Sequence, residues 1–322
     1  MTTKALQQRW ESTEGRAQAG EALRFLLGVR RDLPEGIGAH EGRRDLRGLA
    51  LPDPKTVGRV VAGGVVAEAM TGLQEFRGVR WQGLDLSHAR LPNLRFFGAA
   101  ISDCRFVGTL CRDWRLWDSE VAGSSFAESD LREAALGTWQ EERTNTWRDV
   151  TFDRADLRGA LALGCVLEHC SFLASRLKDI QFQQATIRHC RFSGRLQDLL
   201  FDGREIAGKP NPGVFADVDF SEATFEDVEF RGCRFDGVKL PAGVYAIPTF
   251  PRVARRVLDL LEQHESVEAR MLRAELNLSL KLPGSDDSVG VFNRADYVVA
   301  GGNRLADLAE SLLMEAGGET TR

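Results

Sequence analysis

The 322-residue sequence has no apolar run long enough to cross a bilayer. Its most apolar stretch, Val57 to Ala69, carries Arg59 and glycines and reads as a capping helix or strand. Met1 to Trp10 is polar, so no secretory leader is expected. The expected location is the cytoplasm, with no membrane contact. Histidine is scarce, at five residues, and tyrosine scarcer, at two. There is no Gly-x-Ser-x-Gly, no Walker sequence and no His-Glu-x-x-His. No Cys-x-x-Cys pair occurs either, which argues against zinc. Gly36-Ile37-Gly38-Ala39-His40-Glu41-Gly42 has the wrong glycine spacing for a dinucleotide loop and no strand–helix unit around it. The net charge is only −5 and is spread thinly. Residues 1–72 hold 11 basic and 9 acidic side chains, 73–240 hold 22 and 26, and 241–322 hold 9 and 12. Without a basic stripe, direct nucleic-acid binding is not expected.

What is present is a period of five. Phe76, Trp81, Leu86, Leu91, Phe96 and Ile101 open a series of apolar centres that runs to Leu136 without a gap. It resumes from Trp147 to Phe192, and again from Phe220 to Leu240. Neither a helix, at 3.6, nor an ordinary strand, at 2.0, has this period. It requires a chain that turns a corner at each unit and points one side chain inward each time. A small residue recurs two positions before each centre, as at Ala89, Cys104, Ser124, Ala155 and Cys190. Large and small inward residues in alternation fill a coil without voids. The other three positions are mostly polar or Gly, which suits solvent.

Segments such as Ala155-Asp156-Leu157-Arg158-Gly159 resemble the pentapeptide-repeat family, whose unit is a small residue, Asp or Asn, Leu or Phe, a polar residue, then Gly. Ala223-Thr224-Phe225 and Cys233-Arg234-Phe235 fit more loosely. The resemblance covers roughly residues 73 to 240, with 28 units on three phases. It implies an all-β solenoid, a right-handed quadrilateral β-helix with four units per coil and about seven coils. At a strand spacing of about 4.8 Å, such a rod is roughly 34 Å long. Phe152, Phe172 and Phe192 are then expected one above another inside it.

Five of the six cysteines, Cys104, Cys165, Cys170, Cys190 and Cys233, fall at the small inward position, and Cys111 falls at a centre. They are expected as buried free thiols in a reducing compartment. His169 and His189 each precede an inward cysteine by one residue, so imidazole and thiol are expected on opposite sides of one wall. His88 is expected at the surface, and His40 and His264 have no visible partner. No metal, no cofactor and no catalytic residue is assigned.

Three regions are expected. Residues 1–72 form a helical N-terminal cap with a partial first coil at Asp45-Leu46-Arg47-Gly48 and an insertion at about 52–72. Within the cap, 3–28 read as one or two helices, ended by Gly28 and Pro34. Residues 73–240 form the β-helix, with loops at 137–146 and 193–216; the second loop is read as protruding, with Phe201 and Ile206 still able to contribute units inside it. The step from Leu136 to Trp147 reads as eleven residues in place of ten, a bulge or modest corner loop. Residues 241–322 form a helical C-terminal region, with helix over 249–282 and a second over 294–316 that Gly301-Gly302 interrupts. This region is read either as a helical cap on the last coil or as a dimerisation element, as C-terminal helices are in relatives of the resembled family.

Candidate partner-binding residues come from two places. Asp217, Asp219, Glu222, Glu226, Asp227 and Glu229 form an acidic run at outward positions, read either as a solvated face or as an anionic surface for a basic partner. Lys209 and Asn211 lie in the Pro- and Gly-rich segment of the 193–216 loop, and rigid scaffolds often carry function on loops. The reading placed first is a non-enzymatic scaffold or adaptor for a protein partner. The resemblance also implies an alternative, a DNA-mimicking binder of DNA gyrase, as for Qnr, MfpA and AlbG. That would be steered by negative charge, whereas this solenoid is nearly neutral. An accessory subunit of an enzyme is the third reading.

Overall fold

The computed structural model describes residues 2–62, 65–138, 143–204, 206, 213–281 and 285–318, with the side chains of 56–70 left aside. The chain divides into two compact units, Met1–Arg176 and Leu177–Arg322.

In the first unit two helices precede the coils. α1 (Thr3–Gln8) and α2 (Thr13–Leu26) start at Thr2 and Ser12, whose hydroxyls accept from the N–H groups of Ala5 and Gly15. α2 ends at Gly28, which takes the left-handed φ of +72° that glycine adopts at no steric cost. Leu6, Ala22 and Leu26 are buried, and Trp81 donates its indole N–H to the Leu26 carbonyl at 2.9 Å. Strand Arg43–Asp45 pairs in parallel with Leu84–Asp85, and Ala50 bridges Arg90. The Asp45–Gly48 segment is therefore an edge of the first coil. The insertion after it is an antiparallel hairpin, Lys55–Ala62 with Val65–Thr71.

Beyond the hairpin the backbone repeats every 20 residues. Phe96 aligns with Phe76 and Leu116, and Ile101 aligns with Trp81 and Val121. Bridges Asp85↔Arg105↔Ser125 and Arg90↔Leu110↔Asp130 supply the other two sides. Four five-residue units per coil make a quadrilateral parallel β-helix. The corner is visible in the dihedrals, because the residue two after each centre is left-handed. Asp103, Asp113, Asp118, Asp149 and His169 adopt φ of 48–56°, and Gly78, Gly98, Gly108, Gly123 and Gly159 share the sign. Gly, Asn, Asp and His tolerate this region best, which is why the fifth position of the unit is so often one of them.

The interior is the expected alternation. Rings from successive coils stack, Phe106 on Phe126 at 4.5 Å and Phe152 on Phe172 at 4.8 Å between centroids. Each such pair contributes about 0.5–1.5 kcal/mol beyond area burial. Small inward residues satisfy the backbone: the Ser119 hydroxyl donates to the Trp117 carbonyl and accepts from the Ala99 N–H.

The expected break near 137–146 differs in size. Val121 aligns with Trp147, 26 residues on, and Trp147 aligns with Leu167, 20 on. Trp147 is thus the unit directly after Leu136, and the insertion is six residues where one was expected.

In the second unit, Leu177–Gln183, Arg191–Asp202 and Asp219–Arg231 pair in parallel. Phe182, Phe201 and Phe230 share one column, and Leu196 aligns with Leu177 and Phe225. The segment 193–216, expected as a protruding loop that could still hold a unit at Phe201, therefore holds a strand to Asp202, with Phe201 fully buried. Deleting one residue between Phe192 and Leu196 changes the phase, and this hid the strand from a fixed count of five. Ile187, Phe215 and Phe235 form another column, and Phe192 stacks on Phe220 at 4.8 Å.

After the last coil come α3 (Phe250–Leu261), α4 (Val267–Lys281) and α5 (Arg294–Gly317). The stretch 249–282, expected as one helix, is two, separated over 262–266. Ser266 accepts from the Ala269 N–H and so restarts the chain as a cap. Gly301 and Gly302 carry non-helical dihedrals and kink α5, as expected. A strand pair not foreseen, Val244–Ile247 with Gly290–Asn293, joins the helices. Val257, Leu261, Leu272, Leu276, Leu305 and Leu313 form their shared core.

Candidate functional site

The acidic run lies where alternation places it, outward on strand Asp219–Arg231 and its approach, while Phe220, Phe225, Val228 and Phe230 point inward. The coil turns within this run. Phe220, Phe225 and Phe230 belong to three different columns, so their acidic neighbours share no single face. Most also have cationic neighbours. Asp219 pairs with Lys239 at 3.6 Å, Glu226 with Arg195 and Glu229 with Arg231. Asp217 lies 3.4 Å from the His189 ring. Two hydrogen bonds from Ser221, its hydroxyl and its N–H, hold the Asp219 carboxyl below the usual carboxylate range. Glu222 is exposed. Lys209 and Asn211 lie outside the described residues.

Asp227 and Glu229 do meet other functional side chains. They line a cavity of about 370 Å³ inside the second unit, between the last long strand and the helices. Its apolar walls include Phe230, Ile247, Phe250, Val291 and Leu278. Glu275 from α4 and Asp296 and Tyr297 from α5 supply one polar side, and Arg204, Arg231 and Arg255 another. Tyr297 donates its hydroxyl to Glu275 at 2.7 Å. Asp296 accepts from the Asp227 backbone N–H at 3.3 Å. Withdrawal from water raises the Glu275 carboxyl above the ordinary range, and Glu229 and Asp296 push the same way against the Tyr297 bond. Asp296 is raised chiefly by burial and further by Asp227 and Glu226. The Arg255 guanidinium is engaged by Asp286 at 2.9 Å, and Arg231 by Glu229.

None of Glu275, Asp296, Tyr297, Phe250 or Arg255 stood out in the sequence. The signal is absent there because these residues come from three different helices with no common spacing. Only the closeness of Asp296 to Tyr297 in the chain foreshadows it.

The thiols are structural. Cys104, Cys111, Cys165, Cys170, Cys190 and Cys233 are free and buried. Cys170 donates to the Trp147 carbonyl at 3.4 Å, and Cys233 to that of Phe201 at 3.3 Å. His88, His169 and His189 all occupy left-handed corners, at φ of 51–59°. Their spacing reflects corner geometry, and among the described residues no group of three or more His, Cys, Asp or Glu side chains could hold a metal ion. His40, expected without a partner, places Nδ1 2.7 Å from the Asp85 carboxylate. Asp85 also accepts from the Ser87 hydroxyl and N–H. The serine meets the carboxylate and not the imidazole, so this is no nucleophile–base arrangement. No helix of the described residues is long and apolar enough to cross a membrane.

Five-residue units, left-handed corners and four stacked sides define the class: a quadrilateral parallel β-helix with helices at both termini. The chain carries pentapeptide repeats. The family model described as pentapeptide repeats (8 copies) matches residues 214–240. No curated protein matches the sequence. Among solved structures, the chain is similar to HetL from Nostoc sp. strain PCC 7120, described as a pentapeptide repeat protein involved in heterocyst differentiation regulation. Identity there is 16%, covering 69% of this chain and 92% of that one, with a TM-score of 0.28. It is similar to Rfr23 from Cyanothece 51142 at 12% identity, covering 42% and 89%, with a TM-score of 0.26. It is also similar to QnrB1, described as a plasmid-mediated fluoroquinolone resistance protein, at 16% identity, covering 52% and 94%, with a TM-score of 0.17.

Proposed function

We propose that the chain is a non-enzymatic scaffold or adaptor that grips a protein partner through its C-terminal helices. One observation carries this reading. Among the described residues, the large apolar side chains left exposed are Val29 and then Val267, Met271 and Leu278 of α4 and Val298 and Val299 of α5. Val267, Met271 and Leu278 lie four and seven residues apart, which puts them on one side of α4. Grouped apolar exposure of this kind marks interaction surfaces. Exposed acids of the coils, in contrast, are largely matched by arginine, as Glu128 is by Arg154 and Asp130 by Arg112 and Arg132.

Leu278→Glu with Val299→Glu tests the reading in a pull-down from the native cell extract. Loss of a partner that the parent chain retains supports helix docking. Retention of the partner, with loss on charge reversal of Glu222, Glu226 and Asp227, would replace helix docking with an acidic face. Homodimerisation through the same helices is the second occupant, and sedimentation of parent and variant distinguishes it. The gyrase reading needs an anionic surface, and the pairing of Asp219, Glu226 and Glu229 with cations weighs against it. A supercoiling assay at low salt decides that alternative.

A further inference from the structure

The cavity of the second unit has the features of a ligand site that partner docking does not require. At about 370 Å³ it falls in the size range of small-molecule sites. Its walls divide by chemistry. Phe230, Phe250 and Tyr297 bring three rings, with Ile247, Val291 and Leu278 beside them. On the strand side and the Phe250 side the cations are already engaged, Arg231 by Glu229 and Arg255 by Asp286. Arg204, the third, forms a two-bond pair with Asp202. Glu275, Asp296 and Asp227 are different. Among the described residues no basic side chain pairs with any of the three; Glu275 feels the charge of Asp296, and Asp296 that of Asp227. An open cavity with ring walls and unneutralised carboxylates on one side is chemically incomplete without a cation.

We propose that this cavity binds a small organic cation, an ammonium group on an apolar body, with the charge between Glu275 and Asp296 and the body against Phe250, Phe230 and Tyr297. A bare metal ion is a poorer occupant, because among the described residues no three or more His, Cys, Asp or Glu side chains are grouped so as to hold one. The carboxylates exclude an anion. The cation is either a free amine or the lysine side chain of a bound peptide, and both present the same group.

The test uses the full chain and calorimetric titration with phenethylamine, with 2-phenylethanol as the uncharged counterpart and an acetylated lysine-containing tetrapeptide as the second arm. Phenethylamine is expected to bind at least about tenfold more tightly than 2-phenylethanol, the ratio a charge-assisted hydrogen bond supports. Glu275→Gln combined with Asp296→Asn should remove that preference, while Glu222→Gln, outside the cavity, should keep it. Tighter binding of the tetrapeptide than of phenethylamine assigns the cation to a partner's lysine. Equal binding of amine and alcohol, or an undiminished preference in the double variant, overturns the proposal. A thermal-unfolding curve for each variant confirms that it is folded. If the double variant is not folded, Leu278→Trp at the exposed side of the cavity serves instead, and unchanged phenethylamine affinity there overturns the proposal as well.

Discussion

Asn145 donates its side-chain amide to the Leu136 carbonyl at 3.0 Å, across the six-residue insertion that interrupts the coil. The same amide donates to the Leu116 carbonyl at 2.7 Å, and its oxygen accepts from the Ser119 N–H at 2.9 Å. Asn145 is fully buried, so these bonds replace the ladder that the insertion removes. Asn145→Ala orphans the Ser119 N–H in a dry interior, while the Leu136 carbonyl keeps the Trp147 indole and the Leu116 carbonyl keeps the Thr138 hydroxyl. The expected cost is about 1–3 kcal/mol, the penalty of one orphaned buried group. Chemical denaturation of parent and variant measures it, and a change below 1 kcal/mol would sink this account.

Asn145 also shows where the sequence stopped being legible. The centres gave the period and the inward positions, because each coil depends only on its neighbours, and the helices at both ends were legible separately from their apolar spacing and stop signals. A step of eleven from Leu136 to Trp147 cannot be divided from sequence alone into a missing unit or a long corner. An asparagine that mimics backbone looks like any polar loop residue. Phase slips acted likewise at Leu196. The cavity was illegible for a different reason: Glu229, Glu275 and Asp296 are brought together by helix packing, and no spacing rule links a solenoid strand to two later helices.

Corner geometry makes a second prediction. Ala174 holds φ of +53°, a conformation that costs a side chain with Cβ roughly 1 kcal/mol and costs glycine nothing. Ala174→Gly should therefore stabilise the protein, by up to about 1 kcal/mol. Asp149→Val, at φ of +56°, should destabilise it by about 2 kcal/mol, because a β-branched residue fits this region worst. Thermal unfolding of the two variants should move in opposite directions. Movement in the same direction would mean that the corners are set by something other than backbone sterics.

The thiols provide a third. Burial pushes Cys104, Cys165 and Cys233 up to about 12, and Cys111 well above its ordinary value. Thiolate is the reactive form. At pH 8 the native protein should leave all six cysteines unmodified by iodoacetamide over an hour, whereas the protein in guanidinium should alkylate at all six. Mass spectrometry of the two samples gives the count. Rapid native modification at Cys170 would show that the wall does not seal it.

Asp45 yields the pH dependence. Burial opposes its ionisation, yet hydrogen bonds from Arg47 and Arg9 outweigh that and hold the carboxyl well below the usual range. Arg9 also donates to the carbonyls of Asp45 and Arg47, and the Trp10 indole to that of Arg47, so this cluster fastens the end of α1 to the first coil. A carboxyl whose folded value is depressed contributes stability that is complete above its unfolded value, near 4, and is lost as pH falls toward the folded one. Between pH 6 and 8, Asp45→Asn should cost on the order of 2 kcal/mol, after allowance for the part-exposed Arg9. Below about pH 4 the difference between parent and variant should shrink, since the parent's carboxyl is then protonated in the unfolded chain and progressively in the folded one. Urea unfolding at pH 7, 4 and 3 traces the effect. A gap between the two proteins that stays constant down to pH 3 would show that Asp45 acts by shape and hydrogen bonding alone, with its charge contributing nothing.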